Sequence, residues 1–136
     1  MITTPIQVRF ADCDMAGHIH NAAYLQYFES GRIMFFVNEL GENWDWRKNG
    51  LILKKNTLVY HKPGHLEDQL SVTVGCCLIG SKSFTLTYTI KDTLDNLICG
   101  GESVVVCMDY TIGKTIEIPK NILAVLEKHP SDPVEA

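Results

Sequence analysis

Residues 22–40 read AAYLQYFESGRIMFFVNEL. The stretch is long enough for about five helical turns and contains no proline. Tyr24, Phe28, Gly31 and Phe35 recur at spacings of three and four, which places them on one face of a helix. Leu25, Tyr27, Ile33 and Met34 carry the apolar surface much further round. A helix this apolar over most of its circumference is expected to be buried rather than to lie on a surface. Asn21 is positioned to cap its start and Gly41 to stop it.

Downstream the period changes from helical to strand-like. Leu51, Leu53, Leu58 and Tyr60 mark a segment over 51–61, and Leu70, Val72 and Val74 alternate within 69–79. Phe84, Leu86, Tyr88 and Ile90 alternate with threonines over 84–90, and 97–108 is a further strand with Gly100 and Gly101 at a bulge or close approach. Residues 115–118 can extend the sheet. The turns KPGHLED, GSKS and KDTLDN are of hairpin length, so pairing is expected to be antiparallel. Upstream, Ile6, Val8 and Phe10 alternate with Gln7 and Arg9 as a half-buried strand. Pro119 opens a short C-terminal helix, and the tail PSDPVEA is expected to fray. A single helix that is apolar nearly all round needs a surface that curves about it. The expectation is one α+β domain over 1–136, a long central helix wrapped by a curved antiparallel sheet of about five strands.

A net charge of -4 argues against nucleic acid as a partner. No uninterrupted apolar stretch reaches membrane-spanning length, and the first ten residues hold no apolar leader segment. The five cysteines are odd in number, form no CxxC pair and mostly sit in apolar runs, which suits a reducing, cytoplasmic setting.

Just before the helix lies FADCDMAGHIHNAAY, residues 10–24, richer in chemistry than a connection requires. Asp14 stands beside Gly17, which allows a tight turn, and beside a helix start that offers free amides and partial positive charge. A carboxylate next to such donors suits acyl transfer: Asp14 as nucleophile or general base, Asn21 holding a water or a carbonyl. The competing readings are an Asx turn at Asp12 or Asp14 and a metal site built on His18 and His20, whose spacing fits no common ligand pattern. Cys13 lacks the partners of a nucleophile and reads as packing, and His61 and His65 flank a Pro-Gly turn as exposed residues.

The stretch VRFADCDMAGHIHNAAYLQYFESGR, residues 8–32, resembles the signature region of the hot-dog-fold acyl-CoA thioesterases of the 4-hydroxybenzoyl-CoA type. The matching residues are Asp12, Asp14, Gly17, Asn21, Tyr24, Tyr27, Glu29 and Arg32, with looser likeness through YHKPGHLEDQL, GSKSFTLTYTI and the closing strands. The resemblance implies hydrolysis of an acyl-CoA thioester, with no cofactor because CoA is part of the substrate. It makes Asp14 the catalytic carboxylate, with the backbone amides of Gly17 and His18 polarising the carbonyl. Asn21 stands where several relatives carry a histidine, and asparagine cannot transfer a proton. Tyr24, Glu29, Ser81, Lys82 and Ser83 are the substrate-binding candidates, Lys82 toward the CoA phosphates. The resemblance also implies a homodimer or homotetramer, with sheets joined edge to edge and active sites between subunits. A hot-dog enoyl-thioester hydratase or dehydratase and a non-catalytic acyl-CoA binder are the rival readings.

Overall fold

The computed structural model describes residues 1–134. In chain order the elements are β1 (Ile2–Ile6), a 3-10 turn (Phe10–Asp12), α1 (Ala23–Leu40), β2 (Gly50–Tyr60), β3 (Leu70–Ile79), β4 (Ser83–Lys91), β5 (Leu97–Asp109), β6 (Lys114–Thr115) and α2 (Lys120–Lys128). The strands form one antiparallel sheet in the order β1-β3-β4-β5-β2, with β6 paired to the end of β5. This is the expected α+β hot-dog arrangement, with six strands in place of about five.

The first strand lies four residues earlier than its alternation suggested. Ile2, Thr4 and Ile6 are its half-buried positions, and Pro5 is tolerated because β1 is an edge strand. Val8 still packs against the core, whereas Phe10 is 84% exposed on the 3-10 turn.

Helix α1 packs on β1 and β3 across the inner face of the sheet. Its buried face carries Tyr24, Tyr27, Phe28, Gly31, Phe35 and Phe36, and burying each aromatic ring contributes about 1.5–3 kcal/mol. Gly31 sets the depth of this packing, since a Cβ there would stand 2.8 Å from a Val72 methyl. The helix is not covered all round, as its apolar circumference suggested. Leu25, Ile33 and Met34 remain exposed, and so do Leu53 and Tyr60 on the inner face of β2. The sheet curves over one side of the helix and leaves the side toward β2 open.

Gly101 is the close-approach point: a Cβ would lie 2.6 Å from the Phe28 ring and 2.5 Å from the Thr57 carbonyl. The bulge in β5 falls instead at Ile98, between the pairs Ile90–Cys99 and Lys91–Leu97.

The C-terminal segment is ordered rather than frayed as far as Val134; residues 135 and 136 lie outside the described part. Pro130 bridges to Cys76, the Ser131 and Thr87 hydroxyls are 2.6 Å apart, and the Val134 amide donates to the Glu102 carboxylate at 2.8 Å. The segment thereby crosses the outer face of the sheet and buries Thr87.

Candidate active site

The loop between the 3-10 turn and α1 closes on itself. Cys13 and Ile19 form an antiparallel bridge, the Asp14 amide donates to the His18 carbonyl at 2.8 Å, and the Gly17 amide donates to the Asp14 carbonyl at 3.0 Å. Gly17 makes the reversal at φ +78°, where a side chain is disfavoured. At the tip, Asp14 Oδ1 accepts the amides of His18 at 3.0 Å and Ala16 at 2.9 Å. These bonds, the His18 amide foremost, hold the Asp14 carboxyl below the usual carboxylate range, so it is ionised at neutral pH. Its second oxygen has no hydrogen-bond partner among the described residues.

This geometry changes the source of carbonyl-polarising donors. The Gly17 and His18 amides, expected to face a substrate, are occupied inside the loop. Asn21 does not cap the helix either. Ala22 holds the N-cap position in helical geometry, without a side-chain cap, because residues 21 and 22 form a turn in which the Ala23 amide donates to the His20 carbonyl at 3.0 Å. Among the described residues no acceptor takes the amides of Asn21 and Ala22. They are open donors at this helix start.

Asp12 anchors the loop from below. Its side chain is buried and accepts the Arg9 amide at 3.0 Å, the Arg9 guanidinium at 3.1 Å and the Tyr27 hydroxyl at 2.9 Å. Burial pushes this carboxyl up, but the Arg9 and Tyr27 bonds outweigh it and leave it below the ordinary value. Its own carbonyl accepts the His20 amide at 2.8 Å, so both ends of the loop are tied to one residue.

Asp14, His18, Asn21 and Tyr24 line one cavity of about 310 Å³. Its other wall is Tyr60, His61, Lys62 and Pro63, from the end of β2 and the turn that follows. The turn is zipped to the Asp14 loop: Ile19 N donates to the Gly64 carbonyl at 2.8 Å, Leu66 N to that of Gly17 at 3.2 Å, and the His18 and His65 rings meet edge to face. The Gly64 amide donates to the Tyr24 hydroxyl at 3.1 Å, and the Tyr60 hydroxyl to the Asn21 carbonyl at 3.2 Å. The sequence marks Tyr60 as a strand residue and His61 as an exposed turn residue, and does not point to His61, Lys62 or Pro63 as part of a site. The sole signal for them was the Pro-Gly turn, about forty residues from the loop it meets.

Glu29 lies elsewhere, on a second cavity of about 420 Å³ that it shares with Arg32. The two are three residues apart on α1 but do not pair with each other; Arg32 donates to the Tyr88 hydroxyl at 3.0 Å. Ser81 and Lys82 lie in the β3–β4 turn and Ser83 opens β4; the Ser81 and Lys82 carbonyls accept amides of Ile118 and Cys107. That turn is at the opposite end of the sheet from Asp14, about 30 Å along β3, so one chain does not bring it to the cavity. Among the described residues no three His, Cys, Asp or Glu side chains gather as a metal site. No helix among them is long and apolar enough to cross a membrane.

A hot-dog sheet with a carboxylate loop feeding its helix defines a thioesterase-like protein. The sequence model of the Thioesterase-like superfamily matches residues 8–126, and the chain belongs to that family. It is 25% identical over 127 residues to the acyl-CoA thioester hydrolase YbgC of Escherichia coli, covering 88% of this chain and 91% of the relative. It is 26% identical over 127 residues to the long-chain acyl-CoA thioesterase FadM of Escherichia coli, covering 92% and 96%. Among solved structures, a predicted thioesterase from Bacillus stearothermophilus superposes with a TM-score of 0.86 at 26% identity, over 97% of this chain and 98% of that one. A Thermus thermophilus thioesterase complexed with coenzyme A and Zn gives 0.81 at 23% identity over 97% and 96%, a likeness of fold alone.

Proposed function

We propose that this protein hydrolyses acyl-CoA thioesters to the free acid and CoA, with Asp14 as the attacking group. The observation that carries the reading is an ionised carboxylate with one oxygen free, in a cavity whose neighbouring amides at Asn21 and Ala22 are unoccupied. The open amides polarise the thioester carbonyl and take the charge that develops on its oxygen. Asp14 is ionised across the neutral range, and direct attack needs no water held between it and the thioester carbon. The free Asp14 oxygen therefore bonds to the thioester carbon, the carbon–sulfur bond breaks, and CoA leaves as the thiolate. Water then cleaves the acyl–aspartyl anhydride. Asn21 holds the carbonyl or the water, and its amide transfers no proton. The reaction as written requires no metal or redox cofactor.

The same reading makes the working unit at least a dimer. β2 is an edge strand of eleven residues whose inner face is uncovered, and two such edges can pair antiparallel about a two-fold axis. That pairing carries the Leu51 end of one copy, with its 81–83 turn, to the Tyr60 and Asp14 end of the other. Lys82 of the second copy then has access to the CoA phosphates. The five unpaired thiols suit a reducing cytoplasm; burial pushes the Cys99 thiol up to about 12 and those of Cys76 and Cys107 up to about 11, leaving them protonated and inert.

The test is thiol release over short, long and aromatic acyl-CoAs, with Asp14→Asn alongside and crotonyl-CoA followed for loss of its enoyl absorbance. Thiol release that depends on Asp14 supports the proposal. Hydration of crotonyl-CoA without thiol release replaces it with the hydratase reading, and binding without any turnover replaces it with the binder.

A further inference from the structure

The groove between α1 and β2 contains polar groups where a hydrocarbon-binding site would carry none. Tyr88 is fully buried and its ring stacks on Phe28 at 4.3 Å. Its hydroxyl accepts a bond from Arg32, whose side chain reaches inward from the open side of the helix. On the adjacent strand the Ser103 hydroxyl, fully buried, donates to Asn56 Oδ1 at 2.6 Å. The register puts Asn56, Leu58 and Tyr60 opposite Ser103, Gly101 and Cys99, so Asn56 and Tyr60 share the inner face of β2. Arg32 lines the cavity on this inner side together with Leu51 of β2, and Asn56 follows Leu51 along the same face of the strand.

Neither is satisfied by the protein alone. No carboxylate among the described residues lies within 4 Å of Arg32, and most of its five N–H groups are left over after Tyr88. Asn56 spends its oxygen on Ser103 and keeps its amide hydrogens. Glu29, one turn earlier on α1, borders the same cavity but is exposed at its rim and does not pair with Arg32. The other walls are Ile33, Phe36, Val37, Trp46 and Leu51, with Tyr110, whose hydroxyl is spent on the Leu51 carbonyl at 3.0 Å. A half-buried cation whose one partner is a neutral hydroxyl, with the nearest carboxylate held out at the rim, is a costly arrangement, offset when an anion arrives. Eight residues of α1 separate Tyr24, at the catalytic cavity, from Arg32, or about 12 Å along the helix axis.

We infer that the acyl group of the substrate ends in a carboxylate: the protein takes the CoA monothioester of a dicarboxylic acid, and Arg32 with Asn56 receives the far carboxylate. This rests on the thioesterase reading above. The planar guanidinium offers two parallel N–H donors to a carboxylate, and the apolar walls accept the methylene chain between the two ends. Arg32 is then the residue that sets acyl specificity, acting on the substrate away from the reacting carbon.

Two measurements test this together. Equilibrium binding of adipoyl-, suberoyl-, hexanoyl- and octanoyl-CoA to Asp14→Asn reads recognition without turnover, and kcat/KM for the same four esters reads it in the wild type. The diacid of each length is expected to be favoured over its neutral counterpart by tenfold or more. Arg32→Gln keeps an N–H donor for Tyr88 but loses the charge; it should lower diacid binding and kcat/KM by about tenfold to a hundredfold and change the neutral esters less than threefold. Asn56→Leu should narrow the same ratio by a smaller factor. Equal handling of the two series, binding of neither, or an Arg32→Gln variant that loses both alike overturns the inference. A diacid preference in binding with no thiol release by the wild type leaves the carboxylate receptor standing and removes the thioesterase reading instead.

Discussion

The Tyr27 hydroxyl donates to the buried Asp12 carboxylate at 2.9 Å, which ties the first turns of α1 to the loop that presents Asp14. Charge-assisted bonds of this kind are each worth about 1.5–3 kcal/mol. Asp12→Asn is expected to lower stability by about 2 kcal/mol, measured by urea unfolding near pH 7, with a loss of activity as the loop loosens. The Asp12 carboxyl is held below its ordinary value, so its stabilising effect is fully present above the unfolded pKa and lost as pH falls through the folded one. The gap between wild type and variant should therefore close below about pH 4. A gap that persists in acid would mean that the ionised carboxylate is not what stabilises the loop.

Asp14 makes a different prediction because it is exposed and its bonds are local. In Asp14→Asn the side-chain carbonyl still accepts the amides of Ala16 and His18, so the melting temperature should move by no more than a few degrees. Turnover should fall by about a hundredfold or more, roughly 3 kcal/mol of barrier. Since the carboxyl sits below the usual range, kcat/KM of the wild type should show no acid limb from this group between pH 8 and 5. Single turnover in oxygen-18 water separates the two roles of Asp14. An unlabelled first product, its new oxygen coming from Asp14, identifies a nucleophile whose anhydride is opened by water at the aspartyl carbon, whereas a general base labels the product at once and leaves Asp14 unlabelled.

Two glycines offer a paired stability test. Gly101→Ala must displace the Phe28 ring or the Thr57 carbonyl and should cost about 1–3 kcal/mol. Gly17→Ala meets nothing within 4 Å, and its cost comes from φ +78° alone, about 1–2 kcal/mol. Thermal denaturation should rank the first as at least as damaging as the second, while activity should suffer more from the second, which holds the catalytic turn.

Leu53 lies 43% exposed on the inner face of the β2 edge strand. Light scattering should give at least twice the chain mass of 15.3 kDa for the wild type. Leu53→Asp should dissociate the assembly and abolish turnover without unfolding the chain, as judged by circular dichroism. A variant that stays dimeric and active would place the interface elsewhere.

Much of this architecture was readable from local periodicity. The β3 and β4 alternations fall within a residue or two of the observed strands, α1 begins one residue inside its expected span, and Gly41 ends it at φ +78°. The errors share a cause. Ile6, Val8 and Phe10 alternate correctly, but pairing to β3 decides where a strand exists, and that pairing stops at Ile6. Asn21 is a good cap by type, yet the turn into α1 puts Ala22 in its place.

The site divides along the same line. A carboxylate, a glycine and a helix start within a dozen residues announced Asp14, because the bonds that shape its loop are local. That the end of β2 brings Tyr60 and His61 to that loop, and that Arg32 meets Tyr88 rather than Glu29, depend on contacts between residues about forty to sixty positions apart. Residue type and spacing set which surfaces are apolar and which groups can react. Packing alone selects which apolar surface is covered by the chain's own sheet and which is left facing outward, since many partners satisfy one pattern and only the folded backbone chooses among them.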